Sequence, residues 1–209
     1  MSRKLYGGAI EAVLPRPFKD VSDLRQVPDH QEVFVDQDSE ASLIVELLSF
    51  DAEVADDHAM QHYFDELAQQ NEASTSAVLD QAIVADPSFM PSFLAHPRMA
   101  LVGRQSVPKR RSEGEAQEAD DVCIVLVLVR LTDVTTDLLC SLNMPFPSTG
   151  TIAGGGGELS ADLSVAQLIP ALSTTTPTDT STREPQAIAL QVLRDFVNSM
   201  VIKDRGLFC

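Results

Sequence analysis

The feature that most constrains this chain is an apolar run near its middle, residues 122–131 (VCIVLVLVRL). The run lacks the polar–apolar alternation of a half-exposed strand, and it is rich in β-branched residues. Such a run is typical of a central strand covered on both faces. Its apolar part, 122–129, is too short to cross a bilayer as a helix. The sequence therefore predicts a sheet with a packing layer on each face.

Further segments supply the rest of that sheet and its two layers. Strand-like patterns occur at 31–36, 42–48, 98–107 and 137–144, and a short strand follows a Gly-Gly turn within 5–14. Helical patterns occur at 51–70 and 185–201. Short turns between strands favour antiparallel pairing, and two helices far apart in sequence can cover opposite faces. We therefore predict an α+β fold, an α/β/α sandwich around a mostly antiparallel, twisted β-sheet. No regular element is assigned to 71–97, which prolines interrupt.

The chain is expected to form one domain over residues 1–209. Two segments depart from globular composition. Residues 108–121 form a polar loop, and residues from about 147 to 185 form a Gly/Ser/Thr/Pro-rich insertion. Such compositions are typical of flexible segments.

The charge of the chain is strongly and unevenly negative. The formal net charge is -16, and no Lys or Arg occurs between residues 26 and 97. This balance argues against nucleic acid or an anionic membrane as a partner, because phosphate groups would be repelled. Charge alone favours a solvated acidic surface that aids solubility.

One acidic stretch leads directly into a strand. Residues 20–34 read DVSDLRQVPDHQEVF, with a single arginine, Arg25, among four carboxylates: Asp20, Asp23, Asp29 and Glu32. Pro28 fixes its own φ angle and favours an extended conformation at the residue before it. Asp20 is a candidate cap for a helical turn at 20–24. The acidic loop, defined here as residues 20–32, is therefore suited to present charge at a fixed place.

Motifs for covalent or cofactor chemistry are weak. The glycines at 154–157 lack the strand and the Lys-Ser/Thr of a phosphate-binding loop. His58 and His62 have a zinc-compatible i, i+4 spacing but no evident third ligand. Cys123 and Cys140 fall within apolar strands and are expected to be inert core thiols. We predict no catalytic residue, no cofactor and no metal site.

Several segments together resemble one known family. LYGGAIEAVLP, DVSDLRQVPDHQEVFV, SLIVELL, HYFDELA, VLVRLTDVTTDLLCSLNMP and the C-terminal LRDFVNSM…GLF are similar to the Ran-binding guanine-nucleotide release factors. The resemblance implies the family's sandwich fold, shared with PsbP-like proteins. It also implies binding to the small GTPase Ran, release of its bound GTP and support of nuclear protein import. The glycine-rich insertion is not associated with the family.

The resemblance also implies site residues and a setting. In the family the acidic loop is the nucleotide-release element, and a second acidic site lies on the SLIVELL-like segment, where Ser49 stands in place of a common second acid. The expected Ran-binding residues are Asp20, Asp23, Asp29, Gln31, Glu32 and Glu46. A monomeric regulator without covalent catalysis, acting in nucleus and cytoplasm and not inserted in membranes, is expected, with other Ran-binding proteins as further partners.

Two alternatives stay open at this point. The first is a non-catalytic acidic scaffold module of the same fold that binds another basic protein. The second is a small-ligand or metal-binding protein that uses His58, His62 and neighbouring acids.

Overall fold

The computed structural model describes residues 2–16, 18–22, 26–108, 119–146, 164–169 and 185–208. Most of the predicted loop 108–121 and of the predicted insertion 147–185 therefore lies outside the described residues. No helix among the described residues is long and apolar enough to cross a membrane.

The described residues form strands and helices with the following bounds. The strands are β1 (Ser2–Leu5), β2 (Ile10–Val13), β3 (Phe18–Asp20), β4 (Gln31–Asp36), β5 (Ser42–Ser49), β6 (Thr75–Ile83), β7 (Arg98–Pro108), β8 (Ala119–Leu131), β9 (Thr136–Phe146) and β10 (Val201–Ile202). The α-helices are α1 (Asp56–Gln70) and α2 (Pro185–Asn198).

The strands form one large and one small sheet. The large sheet has the order β3-β4-β5-β9-β8-β7-β6, and each neighbouring pair is antiparallel. The small sheet has the order β1-β2-β10, also antiparallel. The predicted antiparallel sheet is confirmed, and the apolar run at 122–131 lies in β8, between β9 and β7.

Strand β8 is covered on both faces. On one face Val127 joins a buried cluster that includes Phe196 of α2. On the other face Leu126 joins a second buried cluster that includes Phe64 of α1. Each fully buried side chain of this kind contributes about 1.5–3 kcal/mol relative to an exposed one. The predicted α/β/α sandwich is therefore confirmed, with α1 and α2 on opposite faces.

Several elements differ from the sequence expectation. Helix α2 ends at Asn198 rather than at 201, and strands β3 and β10 were not predicted. Strand β6 lies inside 71–97, where no element was predicted. Its side chains are mostly exposed, and pairing with β7 rather than burial holds it in the sheet. Helix α1 begins at Asp56, not at Asp51, because Arg130 binds the carbonyl oxygens of Asp51 and Val54 and keeps that segment out of the helix.

The N-terminal part also differs in detail. The predicted Gly-Gly turn and following strand are present as a short 3-10 turn, Tyr6–Gly8, and β2, but β1 precedes them. Asp20 was predicted as the cap of a helical turn at 20–24, of which residues 23 and 24 lie outside the described residues. It is the last residue of β3, and its carboxylate accepts a hydrogen bond of 2.8 Å from the backbone N–H of Ser22.

The contact between α1 and the large sheet requires a glycine in β7. A Cβ atom at Gly103 would lie 2.4 Å from Cζ of Phe64 and 3.1 Å from the carbonyl oxygen of Ala77. We expect Gly103→Ala to lower the free energy of unfolding by about 1–3 kcal/mol through overpacking. Urea denaturation monitored by circular dichroism measures the loss.

A double-mutant cycle with Phe64→Leu separates this cause from a loss of strand propensity. Because leucine vacates the space that the new methyl group needs, the double variant should lose less stability than the two single variants combined. Simple additivity of the two losses would contradict the proposed clash.

Candidate functional site

The turn between β1 and β2 holds the end of the acidic loop. Tyr6 lies in the left-handed region, with φ of 49°, and two glycines follow it. Its backbone N–H donates to Oε1 of Glu32 at 2.5 Å, and its hydroxyl donates to the carbonyl oxygen of Val45 at 2.8 Å. Burial raises the pKa of the Tyr6 hydroxyl above its ordinary value. Tyr6 thus fastens the start of β4 and the middle of β5 to the N-terminal turn.

The other end of the acidic loop is held by an ion pair. Asp20, at the end of β3, pairs with the guanidinium of Arg3 in β1. The Asp20 side chain is only 18% exposed, and the Arg3 guanidinium lies over the Phe34 ring, 5.8 Å from its centre. The Asp20 carboxylate is therefore already paired within the protein, and this ion pair holds the start of the acidic loop in place.

Between these two fixed ends, Asp29 faces solvent. It lies in a turn closed by a 2.9 Å hydrogen bond from the backbone N–H of Gln31 to the carbonyl oxygen of Pro28. Within the described part of the chain, its carboxylate has no ion-pair partner. Asp23 and Arg25 lie outside the described residues. Asp29 is thus a free negative charge on a fixed turn.

Glu46 lies on β5, directly opposite Gln31 of β4. The side-chain amide of Gln31 donates to Oε1 of Glu46 at 2.6 Å. Burial raises the pKa of Glu46 above its ordinary value, although the bond from Gln31 and the nearby His30 act in the opposite direction.

Glu32 and Glu46 lie on opposite faces of the large sheet. Glu32 is opposite Val45, which belongs to the cluster under α2. Glu46 is opposite Leu139, which belongs to the cluster under α1. Residues directly opposite in an antiparallel pair share a face, and successive residues alternate. The acidic corner, defined here as Asp29, Glu32 and Glu46, therefore spans both faces at one end of β4 and β5.

The segment after β5 is held by a buried arginine. Arg130 is 2% exposed, donates to the carbonyl oxygens of Asp51 at 2.7 Å and Val54 at 2.6 Å, and pairs with Asp56 at 2.9 Å. Its guanidinium also stacks on Phe50, 4.1 Å from the ring centre.

Asp137 completes this arrangement from β9. It accepts a 3.4 Å bond from Nε of Arg130 and a 2.7 Å bond from the Tyr63 hydroxyl. Burial raises the pKa of Asp137 above its ordinary value, although Tyr63 and Arg130 oppose the shift. The Arg130 cluster fixes one wall of an open groove between β5 and α1. The groove is lined by Leu48, Ser49, Phe50, Asp51, His62, Tyr63 and Glu66.

The histidine pair of the second alternative, His58 and His62, lies on α1. Nε2 of His58 is 4.0 Å from Asp57, and Nε2 of His62 is 3.5 Å from Glu66. Within the described residues, no group of three potential ligands is placed to hold a metal ion.

Comparison with known protein families identifies the family to which this chain belongs. The family described as Ran-interacting Mog1 protein matches residues 3–145, which is more than half of the sequence. The chain belongs to the Ran-interacting Mog1 protein family. The matched residues include the acidic corner and also Arg3 and Tyr6, which hold the two ends of the acidic loop.

Named relatives extend this match over nearly the whole chain. A probable Ran guanine nucleotide release factor of Dictyostelium discoideum is 32% identical over 209 residues, covering 99% of this chain and 95% of the relative. The nuclear import protein mog1 of Schizosaccharomyces pombe is 30% identical, with 98% of each chain covered. The Ran guanine nucleotide release factor of Homo sapiens is 35% identical over 72% of this chain and 78% of its own length. These names describe two Ran guanine nucleotide release factors and one nuclear import protein.

A solved structure shows the same fold. The Ran-binding protein Mog1p of Saccharomyces cerevisiae superposes with a TM-score of 0.64 at 24% sequence identity, covering 100% of this chain and 98% of the other. The fold that the family resemblance implied is therefore confirmed.

Sequence reasoning missed the residues that hold the acidic loop and the segment after β5. Arg3, Tyr6 and Arg130 were not singled out, although each contacts a carboxylate. A signal for the turn was present, because the two glycines after Tyr6 suit positive φ angles. Nothing in the sequence indicates that Arg130 contacts Asp56, which is 74 positions away.

The raised pKa of Glu46 gives a pH-dependent effect on stability. At low pH the carboxyl is protonated in the folded and the unfolded chain. As pH rises above about 4, the unfolded chain ionises first, so wild-type stability falls until the folded pKa is passed. Glu46→Gln lacks this penalty. The free energy of unfolding of the variant, measured by urea denaturation, should therefore increase relative to that of the wild type from about pH 4 to pH 7.

Glu53→Gln is the matched control, because Glu53 is exposed in the segment after β5. The difference in free energy of unfolding between this control variant and the wild type should change much less between pH 4 and pH 7. An effect of Glu46→Gln that is equal at both pH values would contradict the burial of this carboxyl.

Proposed function

We propose that this protein binds the small GTPase Ran and promotes release of its bound GTP, in support of nuclear protein import. Membership of the Ran-interacting family and the names of its relatives support the partner. The observation that carries the site is Asp29, an exposed carboxylate on a turn whose two sides are fastened by Arg3–Asp20 and Tyr6–Glu32. The proposed Ran-binding residues are Asp20, Asp23, Asp29, Gln31, Glu32 and Glu46.

These residues would act in different ways. Asp29 supplies charge that is ready for a partner, since it faces solvent on a fixed turn. Asp20 and Glu32 hold that turn in place through their bonds to Arg3 and Tyr6. Glu46 extends the acidic surface onto the opposite face of the sheet, and the Gln31 amide holds its carboxylate in position.

Nucleotide release follows from thermodynamic linkage. A GTPase holds GTP through a lysine, backbone amides and Mg²⁺ at its phosphate site. A partner that binds the nucleotide-free form more tightly lowers the affinity for nucleotide by the same factor. Carboxylates at the acidic corner are suited to this, because they would pair with cations that lose the phosphate as their partner.

The protein would act as a regulator without covalent catalysis, in the nucleus and the cytoplasm. On this proposal the nucleotide leaves Ran chemically intact. Chromatography of the released material should recover GTP rather than GDP and phosphate.

Charge reversal at the exposed carboxylate tests the site. Asp29→Lys should slow release of fluorescent GTP from purified Ran by at least about thirtyfold, because truncating a desolvated charge contact costs about 2–5 kcal/mol. The rate is measured by stopped-flow fluorescence, and the melting temperature should stay near that of the wild type.

Asp38→Lys is the matched control. Asp38 is also exposed, but it lies in the turn at the far end of β4 and carries the same change of charge. It should retain release within about threefold, since long-range charge effects are screened by salt. Equal losses in both variants would indicate a general charge effect, and unchanged release with Asp29→Lys would refute the site.

A further inference from the structure

A pocket adjoins the acidic corner on the face of the large sheet that α1 covers. This Ser141 pocket has a volume of about 70 Å³ and is defined here by Glu46, Glu66, Leu67, Leu126, Leu139 and Ser141. Its lining residues lie in β5, α1, β8 and β9, all within the described part of the chain. Because Glu46 belongs both to the pocket and to the acidic corner, a protein docked on the corner would also meet the pocket.

The sheet side of the pocket is apolar. Leu126 of β8 and Leu139 of β9 line it and belong to the buried cluster under α1. Leu67 lines it from the helix. These walls suit the methylene groups of a ligand rather than a hydrated metal ion. The volume is well below the roughly 150 Å³ of a cavity that accepts a benzene ring, so a linear chain fits better than an aromatic ring.

A buried hydroxyl group also lines the pocket. Ser141 of β9 is only 3% exposed. It lies opposite Leu126 in the register, so its side chain is on the face that α1 covers. Across the described ranges of the chain, its hydroxyl makes no hydrogen bond. Because buried hydroxyl groups are normally hydrogen-bonded, this one is available to a polar group that enters the pocket.

Two carboxylates give the pocket its charge. Gln31 donates to Oε1 of Glu46 at 2.6 Å, whereas Oε2 has no hydrogen-bond donor among the residues that the structure describes. Glu66 of α1 is half-exposed, and Nε2 of His62 lies 3.5 Å from its carboxylate. The residues that line the pocket include no Lys or Arg. A cation in the pocket would also oppose the burial that raises the pKa of Glu46.

The apolar walls and the acceptors together define a ligand. We propose that the Ser141 pocket binds a lysine side chain of the protein that docks on the acidic corner. The methylene groups pack against Leu126 and Leu139, as lysine stems do on apolar surfaces. The ammonium group has three N–H donors, which match the carboxylates of Glu46 and Glu66 and the hydroxyl of Ser141. This inference rests on the proposed function for the identity of the partner, Ran, but not for the chemistry of the pocket.

A small lysine analogue tests the pocket without Ran. The isotope-labelled full chain is titrated with Nα-acetyl-lysine methylamide and followed by NMR. The amide signals of Glu46, Gln70 and Ser141 should shift saturably, because these residues line the pocket. Nα-acetyl-norleucine methylamide has the same carbon chain without the amine. It should bind at least about fivefold more weakly, because it forms no ion pair.

Matched variants locate the bound ammonium group. Glu66→Gln should weaken binding of the lysine analogue by about fivefold, and Ser141→Ala should weaken it by about threefold. Asp57→Asn is the control, because Asp57 is exposed in the first turn of α1 and does not line the pocket. It undergoes the same change from carboxylate to amide and should leave binding within about twofold.

Binding to nucleotide-free Ran separates this inference from the proposed function. Glu66→Gln should weaken Ran binding by about fivefold in calorimetry, whereas Asp57→Asn should not.

Three results would overturn the lysine pocket: no saturable binding of the lysine analogue, equal binding of the norleucine analogue, or unchanged affinity for Ran in Glu66→Gln. A loss of release in Asp29→Lys would still support the proposed function in each case. Conversely, a wild-type protein that binds the lysine analogue but not Ran would refute Ran as the partner and would support the pocket for a lysine of another protein.

Discussion

The acidic corner depends on the hydrogen bonds of Tyr6. Its N–H binds the Glu32 carboxylate, and its hydroxyl binds the carbonyl oxygen of Val45, so one residue links the N-terminal turn to β4 and β5. A non-glycine residue at a φ of 49° costs about 1–3 kcal/mol and persists only where its surroundings stabilise it. Here the stabilisation comes from a charge-assisted hydrogen bond of 2.5 Å and from burial of the ring. The consequence is a turn at Asp29 that is ordered before any partner arrives.

Three arginines bind groups inside the fold, and this explains why most carboxylates of the acidic surface are not paired with an arginine. Arg98 and Arg130 are buried and bind backbone carbonyl oxygens, and Arg3 is consumed by Asp20. These three cations stabilise loops and strand ends, and among the carboxylates of residues 26–97 the described arginine ion pairs involve Asp56 alone, through Arg130. A surface with one sign of charge speeds and orients the approach of a basic partner. On the proposed function, the same charge that steers Ran would then compete for the cations of its phosphate site.

The sequence predicted the layers of the fold better than its edges. The run at 122–131 is unambiguous because it needs cover on both faces, and the pattern of Gln31–Asp36 matched β4 at both ends. Strand β6 was missed because its side chains are mostly exposed, so no burial pattern marks it and only pairing with β7 defines it. The start of α1 was predicted too early, because the acids at 51 and 53 are typical of a helix N-terminus. In the structure Arg130, on the distant strand β8, binds the carbonyl oxygen of Asp51 and keeps that segment out of the helix. The acidic loop was recognised from its composition, but the division between bracing and exposed carboxylates depends on Arg3 and Tyr6, which are distant in sequence.

Hydrogen exchange of this protein with and without nucleotide-free Ran tests the central claim most directly. Backbone amides of the acidic loop, of the adjoining start of β4 and of the end of β5 should become protected when Ran binds, because the acidic corner is the proposed contact surface. Amides of α2 and the small sheet should be unchanged. Protection confined to α2 or the small sheet, with residues 26–32 exchanging as in the free protein, would contradict the account.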